Sequence, residues 1–239
     1  MLKKYKKKIV LGTMKLNKYF NNSKDLSSFF VYAHNNGIKN IHLSNEYKSY
    51  SLVIKSLKKI NKRFNIIVKL AEPKKDNIIF NLKKFEKKIL KYHKDLGKKN
   101  HISLQFVNRY KCNDAQEYLS HQQNILQLIR STVNLMKKSK IIDHFYFFPY
   151  HKERKKIYKQ PYIDGICCYR NIEQTDFDEY AKTNKFKIIA IRTFGGNNKI
   201  VNKINLKKLI LFNLKHNLVD KVIIGINNKD QLNQLLKSC

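Results

Sequence analysis

The chain has 239 residues with three prolines and seven glycines; 42% of it is hydrophobic and 12% aromatic, enough apolar material for one sizeable core and too much for a disordered polymer. A net charge of +33 ordinarily marks a polyanion binder, yet the excess of Lys, Asn, Ile, Phe and Tyr follows from A/T-rich codons, and the lysines scatter over predicted helix faces such as Lys83-Lys84 and Lys207-Lys208. Arginine, whose planar fork suits phosphate, is confined to Arg63, Arg109, Arg130, Arg154, Arg170 and Arg192, so nucleic acid is not the expected primary partner.

The first predicted strand, Ile9 to Thr13, leads through an Asn-rich segment into a helix from about Asp25 to Asn36, which Ser23 is placed to cap. Asn36-Gly37 ends that helix, because glycine takes the left-handed conformation past a helix C-terminus. A second strand, Lys39 to Leu43, precedes a helix from about Tyr47 to Lys62 with Leu52, Val53, Ser56, Leu57 and Ile60 facing inward. Strand three is Asn65 to Leu70. Pro73 opens the next helix, whose apolar positions are Ile78, Ile79, Leu82, Phe85, Ile89 and Leu90, and Asp95-Leu-Gly97 closes it.

Ile102 to Val107 reads as strand four, Asp114 to Lys138 as a helix and Ile141 to Phe148 as strand five. The basic stretch His151 to Lys159 makes the fifth unit the weakest. Strand six is Gly165 to Tyr169, followed by a helix at about Gln174 to Thr183 and by strand seven, Lys187 to Arg192; Gly195-Gly196 is a permissive turn. Helices at about Leu206 to His216 and Asp230 to Leu236 flank strand eight, Val222 to Ile226.

Eight strands alternating with helices favour a (β/α)8 TIM barrel, eight parallel strands ringed by helices, as a single domain over residues 1–239. An open doubly wound sheet shares the alternation but would offer a Gly-rich turn after strand one, and Leu11-Gly-Thr-Met-Lys15 has neither GxGxxG nor GxxxxGK. No signal-peptide pattern and no apolar run of ~18 residues is present, so a cytoplasmic location is expected. Cys112, Cys167, Cys168 and Cys239 lack C-x-x-C spacing. Neighbours on a strand face opposite ways, so Cys167 and Cys168 read as buried inert thiols with no metal and no disulfide.

In a barrel the C-terminal strand ends share one mouth, which would gather His42, Tyr47, Lys69 and Asn108. A lysine beside a tyrosine favours the phenolate and brings the phenol towards the range where it exchanges a proton with a carbonyl oxygen. Each residue alone also has a plainer role: Tyr47 as the start of a helix, Lys69 reaching from an apolar strand to water.

Several segments in matching order resemble the aldo-keto reductases: Gly12-Thr-Met14, Gly37 ahead of Ile41-His-Leu-Ser-Asn-Glu-Tyr47, Val68-Lys69, Arg192-Thr-Phe-Gly-Gly196 and Ile223-Ile-Gly-Ile-Asn-Asn-Lys-Asp-Gln-Leu232. The resemblance implies a (β/α)8 barrel reducing a small-molecule carbonyl with NADPH or NADH, with Tyr47 as acid and Lys69 tuning it. It places His42 where the family has an aspartate and Asn108 where it has a histidine, so Glu46 or Glu72 would have to partner Lys69. It puts Phe148-Pro149, Ile166 and Ile191 at the nicotinamide contacts, where none matches, and Gln231 and Leu235 at the adenosine phosphate. Gly12, Thr13, Thr193, Gly195, Gly196, Gly225 and Asn227 remain as cofactor-binding positions. The alternative is a barrel of the same descent that no longer transfers hydride and serves as a small-ligand-binding or interaction protein. Substrate, choice of nucleotide and oligomeric state are left open by these residues.

Overall fold

The computed structural model describes residues 3–71, 80–97, 99–110, 114–149, 160–195 and 205–238. Eight strands close into one parallel barrel in chain order: β1 (Ile9–Gly12), β2 (Asn40–Leu43), β3 (Asn65–Ala71), β4 (His101–Asn108), β5 (His144–Pro149), β6 (Gly165–Tyr169), β7 (Lys187–Ile191) and β8 (Val219–Gly225). A short helix α1 (Lys3–Lys6) precedes β1. The ring consists of α2 (Ser23–Asn35), α3 (Tyr50–Lys59), α4 (Leu82–Leu96), α5 (Ala115–Lys138), α6 (Asp178–Thr183), α7 (Leu206–Leu214) and α8 (Lys229–Ser238). Closure against β8, in register from Ile9↔Val222 to Gly12↔Gly225, excludes the open sheet.

Two apolar compartments follow from the two-residue alternation of the strands. Ile9, Leu11, Ile41, Leu43, Ile66, Val68, Leu104, Phe106, Phe145, Phe147, Ile166 and Cys168 face the helices and form the larger core with Phe29, Phe30, Val53, Ile89 and Ile129. Phe106 is its aromatic hub, with ring centroids 5.7 Å from Phe85 and 6.0 Å from Phe147; a fully buried ring of this kind contributes roughly 1.5–3 kcal/mol. The lumen holds the smaller cluster of Val10, Ile67, Ala71, Val107, Tyr146, Phe148, Cys167 and Ile189, with Tyr169, Ile191 and Ile223 against it. Cys167 and Cys168 thus lie on opposite faces, buried and unpaired by any disulfide, and burial raises both thiol pKa values. At Gly165 the neighbouring β7 backbone comes so near that a Cβ would meet the Lys187 carbonyl oxygen, which explains why β6 begins with glycine.

Local boundaries differ from expectation for identifiable reasons. Asn22, not Ser23, caps α2, accepting the N–H groups of Lys24 and Asp25 at 2.9 Å. Residues 44–49 turn instead of starting a helix, with Tyr47 N–H on the Ser44 carbonyl and Tyr50 N–H on the Tyr47 carbonyl, so α3 begins at Tyr50. The buried stripe of α4 is Phe85, Ile89, Tyr92 and Leu96; Leu90, one position from Ile89, is rotated about 100° off that stripe and is 46% exposed. β5 begins at His144 because Ile141 and Ile142 close the end of α5 through N–H bonds to the Met136 carbonyl. α6 begins at Asp178 because Asn171 and Gln174 pair in a tight turn before it. The Pro73 helix start with Ile78 and Ile79, the basic stretch of the fifth unit, Glu72, Gly196, Cys112 and Cys239 lie outside the described residues.

Buried polar side chains tie the shell to the barrel. Arg170, 2% exposed, donates from Nε and Nη2 to the Asp178 carboxylate at 2.8 Å and from Nη1 to Asn213 Oδ1 at 2.8 Å, with the Phe212 ring 4.5 Å from its guanidinium carbon. The Asn213 amide returns a bond to the Arg170 carbonyl, so one cation locks the end of β6 to α6 and α7.

Candidate active site

The β2 end supplies the first group. His42 lies in the lumen beside β1 and β3, 6% exposed, and the turn after β2 brings Tyr47 back over it. That turn is fixed by side chains: Ser49 donates to the Thr13 carbonyl at 2.7 Å, Thr13 donates to the His42 carbonyl at 2.8 Å, and the Tyr92 hydroxyl donates to Asn45 at 2.7 Å. The Tyr47 hydroxyl stands 3.4 Å from His42 Nδ1, and His42 Nε2 stands 2.7 Å from Gln105 Oε1.

This geometry assigns the proton positions. Gln105 Oε1 only accepts, so Nε2 carries the hydrogen, Nδ1 is the acceptor and the Tyr47 O–H points at it. Burial lowers the His42 pKa to about 4, against the bond to Gln105 and with the Lys69 charge, so the imidazole is neutral near pH 7. Burial also raises the Tyr47 pKa well above its ordinary value, with the Arg109 charge acting weakly the other way. The expected lowering of the Tyr47 pKa by Lys69 is therefore not found. Lys69 Nζ lies over the ring, 5.7 Å from its centroid, and its charge is engaged elsewhere.

That engagement is with Glu46. Lys69 Nζ donates to Oε2 at 2.8 Å, and Arg109 makes two parallel bonds, Nη1 to Oε1 and Nη2 to Oε2, each 2.8 Å. Burial opposes ionisation of Glu46, but the bonds from Lys69 and Arg109 outweigh it and hold its pKa below the usual value. Glu46 thus takes the partner role that the residues left to Glu46 or Glu72.

Asn108 does not join this group. Gln105 and Val107 alternate into the lumen on β4, while Asn108 Oδ1 accepts the Tyr110 N–H as the strand turns away and its Nδ2 is buried without a partner. Gln105 and Arg109 are the residues that sequence reasoning missed. A glutamine inside the apolar run Leu104-Gln-Phe106, and one of only six arginines at a strand end, were the available signals.

For a dinucleotide, the two ends of the mouth differ. At one end Gly12 and Gly225 are adjacent in register, the Gly225 Cα faces open space, Thr193 Oγ1 is buried without a partner and Gly195 is left-handed at φ 76°. These features fit a diphosphate. The start of α8 fits less well, since the Asn227 N–H already bonds to Gln231 Oε1 and the Gln231 N–H to Asn228 Oδ1, both at 2.8 Å. Thr13 is committed to the His42 carbonyl.

The ring end does not fit a nicotinamide amide. Phe148 packs edge-on against Tyr169 with centroids 5.3 Å apart, and Arg192, itself left-handed at φ 57°, lays its guanidinium 3.9 Å from the Tyr169 ring centroid. Ile166, matched to a contact residue by resemblance, faces the helices; Cys167 and Tyr169 are the β6 residues that line the lumen. No described group of three His, Cys, Asp or Glu side chains could hold a metal ion, and no described helix is long and apolar enough to cross a membrane.

No family model matches the sequence, and no curated protein matches it. Solved structures do. A Pseudomonas aeruginosa protein assigned to the aldo-keto reductases superposes with a TM-score of 0.72 at 16% identity, covering 97% of this chain and 88% of its own. An aldo-keto reductase of Bacillus halodurans, in its holo form, gives 0.67 at 11%, with 97% and 86% covered. A thermostable aldo-keto reductase in complex with the inhibitor epalrestat gives 0.62 at 14%, with 96% and 88% covered. At these identities the likeness is one of architecture: along nearly its whole length, this chain has the barrel fold found in aldo-keto reductases.

Proposed function

We propose that this protein is a divergent aldo-keto reductase-like oxidoreductase that reduces a small carbonyl compound at the barrel mouth, with Tyr47 as proton donor. The observation that carries the reading is the Tyr47 hydroxyl held at the C-terminal strand ends over neutral His42, beside Lys69 and Arg109. Both the fold and the order of Gly12, Tyr47, Lys69 and Gly225 along it support that reading.

Burial keeps the phenol protonated near neutral pH, so Tyr47 holds a proton to give. The Tyr47 O–H points at His42 Nδ1, and a carbonyl oxygen at the hydroxyl would take the place of Nδ1 as acceptor. Arg109, whose charge already acts on Tyr47, and Lys69 above the ring stabilise the phenolate left after transfer. A nicotinamide dinucleotide would supply the hydride in such chemistry; Thr193, Gly195 and the Gly12 and Gly225 strand ends would hold its phosphates, while the ring end offers no matched contact to its amide. NADPH and NADH are not distinguished by these residues.

A second reading, a barrel that binds a small ligand without hydride transfer, is favoured by the Phe148, Tyr169 and Arg192 stack at the ring end. Titration with NADPH and then NADH, followed by cofactor fluorescence and thermal shift, separates the two. Saturable binding with carbonyl reduction that is lost in Tyr47→Phe supports the reductase; no binding up to millimolar cofactor sinks it. Tyr47→Phe should cost at most about 1 kcal/mol of stability, because the long bond to His42 contributes little.

A further inference from the structure

We infer that the mouth binds a carboxylate-bearing carbonyl compound, a short aliphatic oxo acid, whose carboxylate is held by Arg109 and Lys69 beside Tyr47. The carbonyl part of this inference rests on the reductase reading above; the carboxylate part stands on charge and donor accounting.

Among the described residues, two cations meet one carboxylate in this cluster, leaving a surplus of one positive charge. Lys69 and Arg109 have side chains only 19% and 14% exposed, against 37% for Glu46, so the surplus lies on the shielded side of the cluster. A structural ion pair needs one cation for one anion, and a second poorly solvated cation is costly without a further partner. Nothing else described around Tyr47 balances it. His42 is neutral, Tyr47 and Cys167 are held protonated by burial, and Phe148 and Tyr169 are uncharged.

Donors are in surplus as well. A guanidinium carries five N–H groups, of which Glu46 takes two from Arg109, and Arg109 Nε is buried without a partner. Lys69 has three N–H groups, of which Glu46 accepts one. A second carboxylate therefore finds N–H groups of Lys69 and Arg109 that Glu46 does not take, without displacing Glu46. Lys69 Nζ lies 5.7 Å from the Tyr47 ring centroid, so a compound carrying carboxylate and carbonyl a few bonds apart reaches both the cations and the phenol.

The test measures binding of 4-oxobutanoate and of butanal to the full chain by calorimetry, without cofactor, in wild type, Arg109→Gln, Arg109→Lys and Lys208→Gln. Lys208 lies on α7, away from this cluster, and controls for non-specific attraction to a chain of net charge +33. The expected result is a preference for the oxo acid over the aldehyde, weakened at least about tenfold in Arg109→Gln, less in Arg109→Lys, and unchanged in Lys208→Gln. Equal weakening in Arg109→Gln and Lys208→Gln, or no preference for the acid, overturns the inference. Circular dichroism and melting of Arg109→Gln exclude simple unfolding, and should Arg109→Gln fail to fold, Arg109→Lys, which keeps the charge and loses the fork, decides. Oxo acid binding without any cofactor-dependent reduction would sink the reductase reading and leave this site standing; butanal reduction without an acid preference would do the reverse.

Discussion

His42 illustrates how one buried residue sets both a proton arrangement and a pH response. Its folded pKa of about 4 lies below the ordinary 6.5, so the unfolded chain takes up a proton first as pH falls. The stability tied to neutral His42 is present above about pH 6.5 and is lost as pH drops towards 4, by roughly 1.4 kcal/mol per pH unit. Urea midpoints from pH 7.5 to 4 should fall more steeply in wild type than in His42→Gln, the difference confined to that window. Parallel curves would mean that His42 takes up its proton in the folded state as readily as in the unfolded chain. His144, whose pKa is raised by its bond to Asp164, titrates in the opposite sense and is common to both proteins, so it cancels. His42 and Tyr47 were legible as members of one mouth because both lie at or just past the end of strand two, but the sequence paired Tyr47 with Lys69. The His42 tautomer was not legible, because it depends on Gln105, sixty-three positions along the chain.

Among elements, the β6, α6 and α7 junction carries the sharpest mutational expectation. Asp178→Asn removes the charge of the carboxylate that the Arg170 Nε and Nη2 groups both bond to, leaving the guanidinium buried against Phe212 and Asn213, and should cost about 3–5 kcal/mol in chemical denaturation. The apolar double variant Arg170→Met with Asp178→Leu should cost much less, since it removes both charges together. Comparable losses in the single and double variants would show that packing, not charge, holds the junction. Six of the eight strands begin within about two residues of where their apolar runs begin, because strands buried on both faces read as continuous runs such as Ile188-Ile-Ala-Ile191. β5 and β8 shifted by three, where a helix end borrowed Ile141 and Ile142 and where Val219 joined the sheet through N–H and C=O pairing that apolar content does not report.

For the whole molecule, a net charge of +33 on 239 residues means that folding gathers like charges against their repulsion. Raising sodium chloride from about 20 to 300 mM shortens the Debye length from roughly 20 Å to below 8 Å, and should raise the urea midpoint with an unchanged slope. A midpoint that falls with salt would mean that ion pairs such as Lys137 with Asp164 outweigh the repulsion. The order of the eight strands and of the seven described ring helices, and hence the barrel, followed from the sequence because hydrophobic periodicity is a local property that closure only completes, whereas the four-residue α1 carried no such signal. The placing of Tyr47, Lys69 and His42 at one mouth followed from that topology. Which groups share protons and charge there was decided by tertiary structure alone: Gln105 on His42, Glu46 between Lys69 and Arg109, and Arg192 against Tyr169 are contacts between distant strand ends. Hydrogen bonds and desolvation depend on ångström distances and burial, which spacing along a chain does not encode.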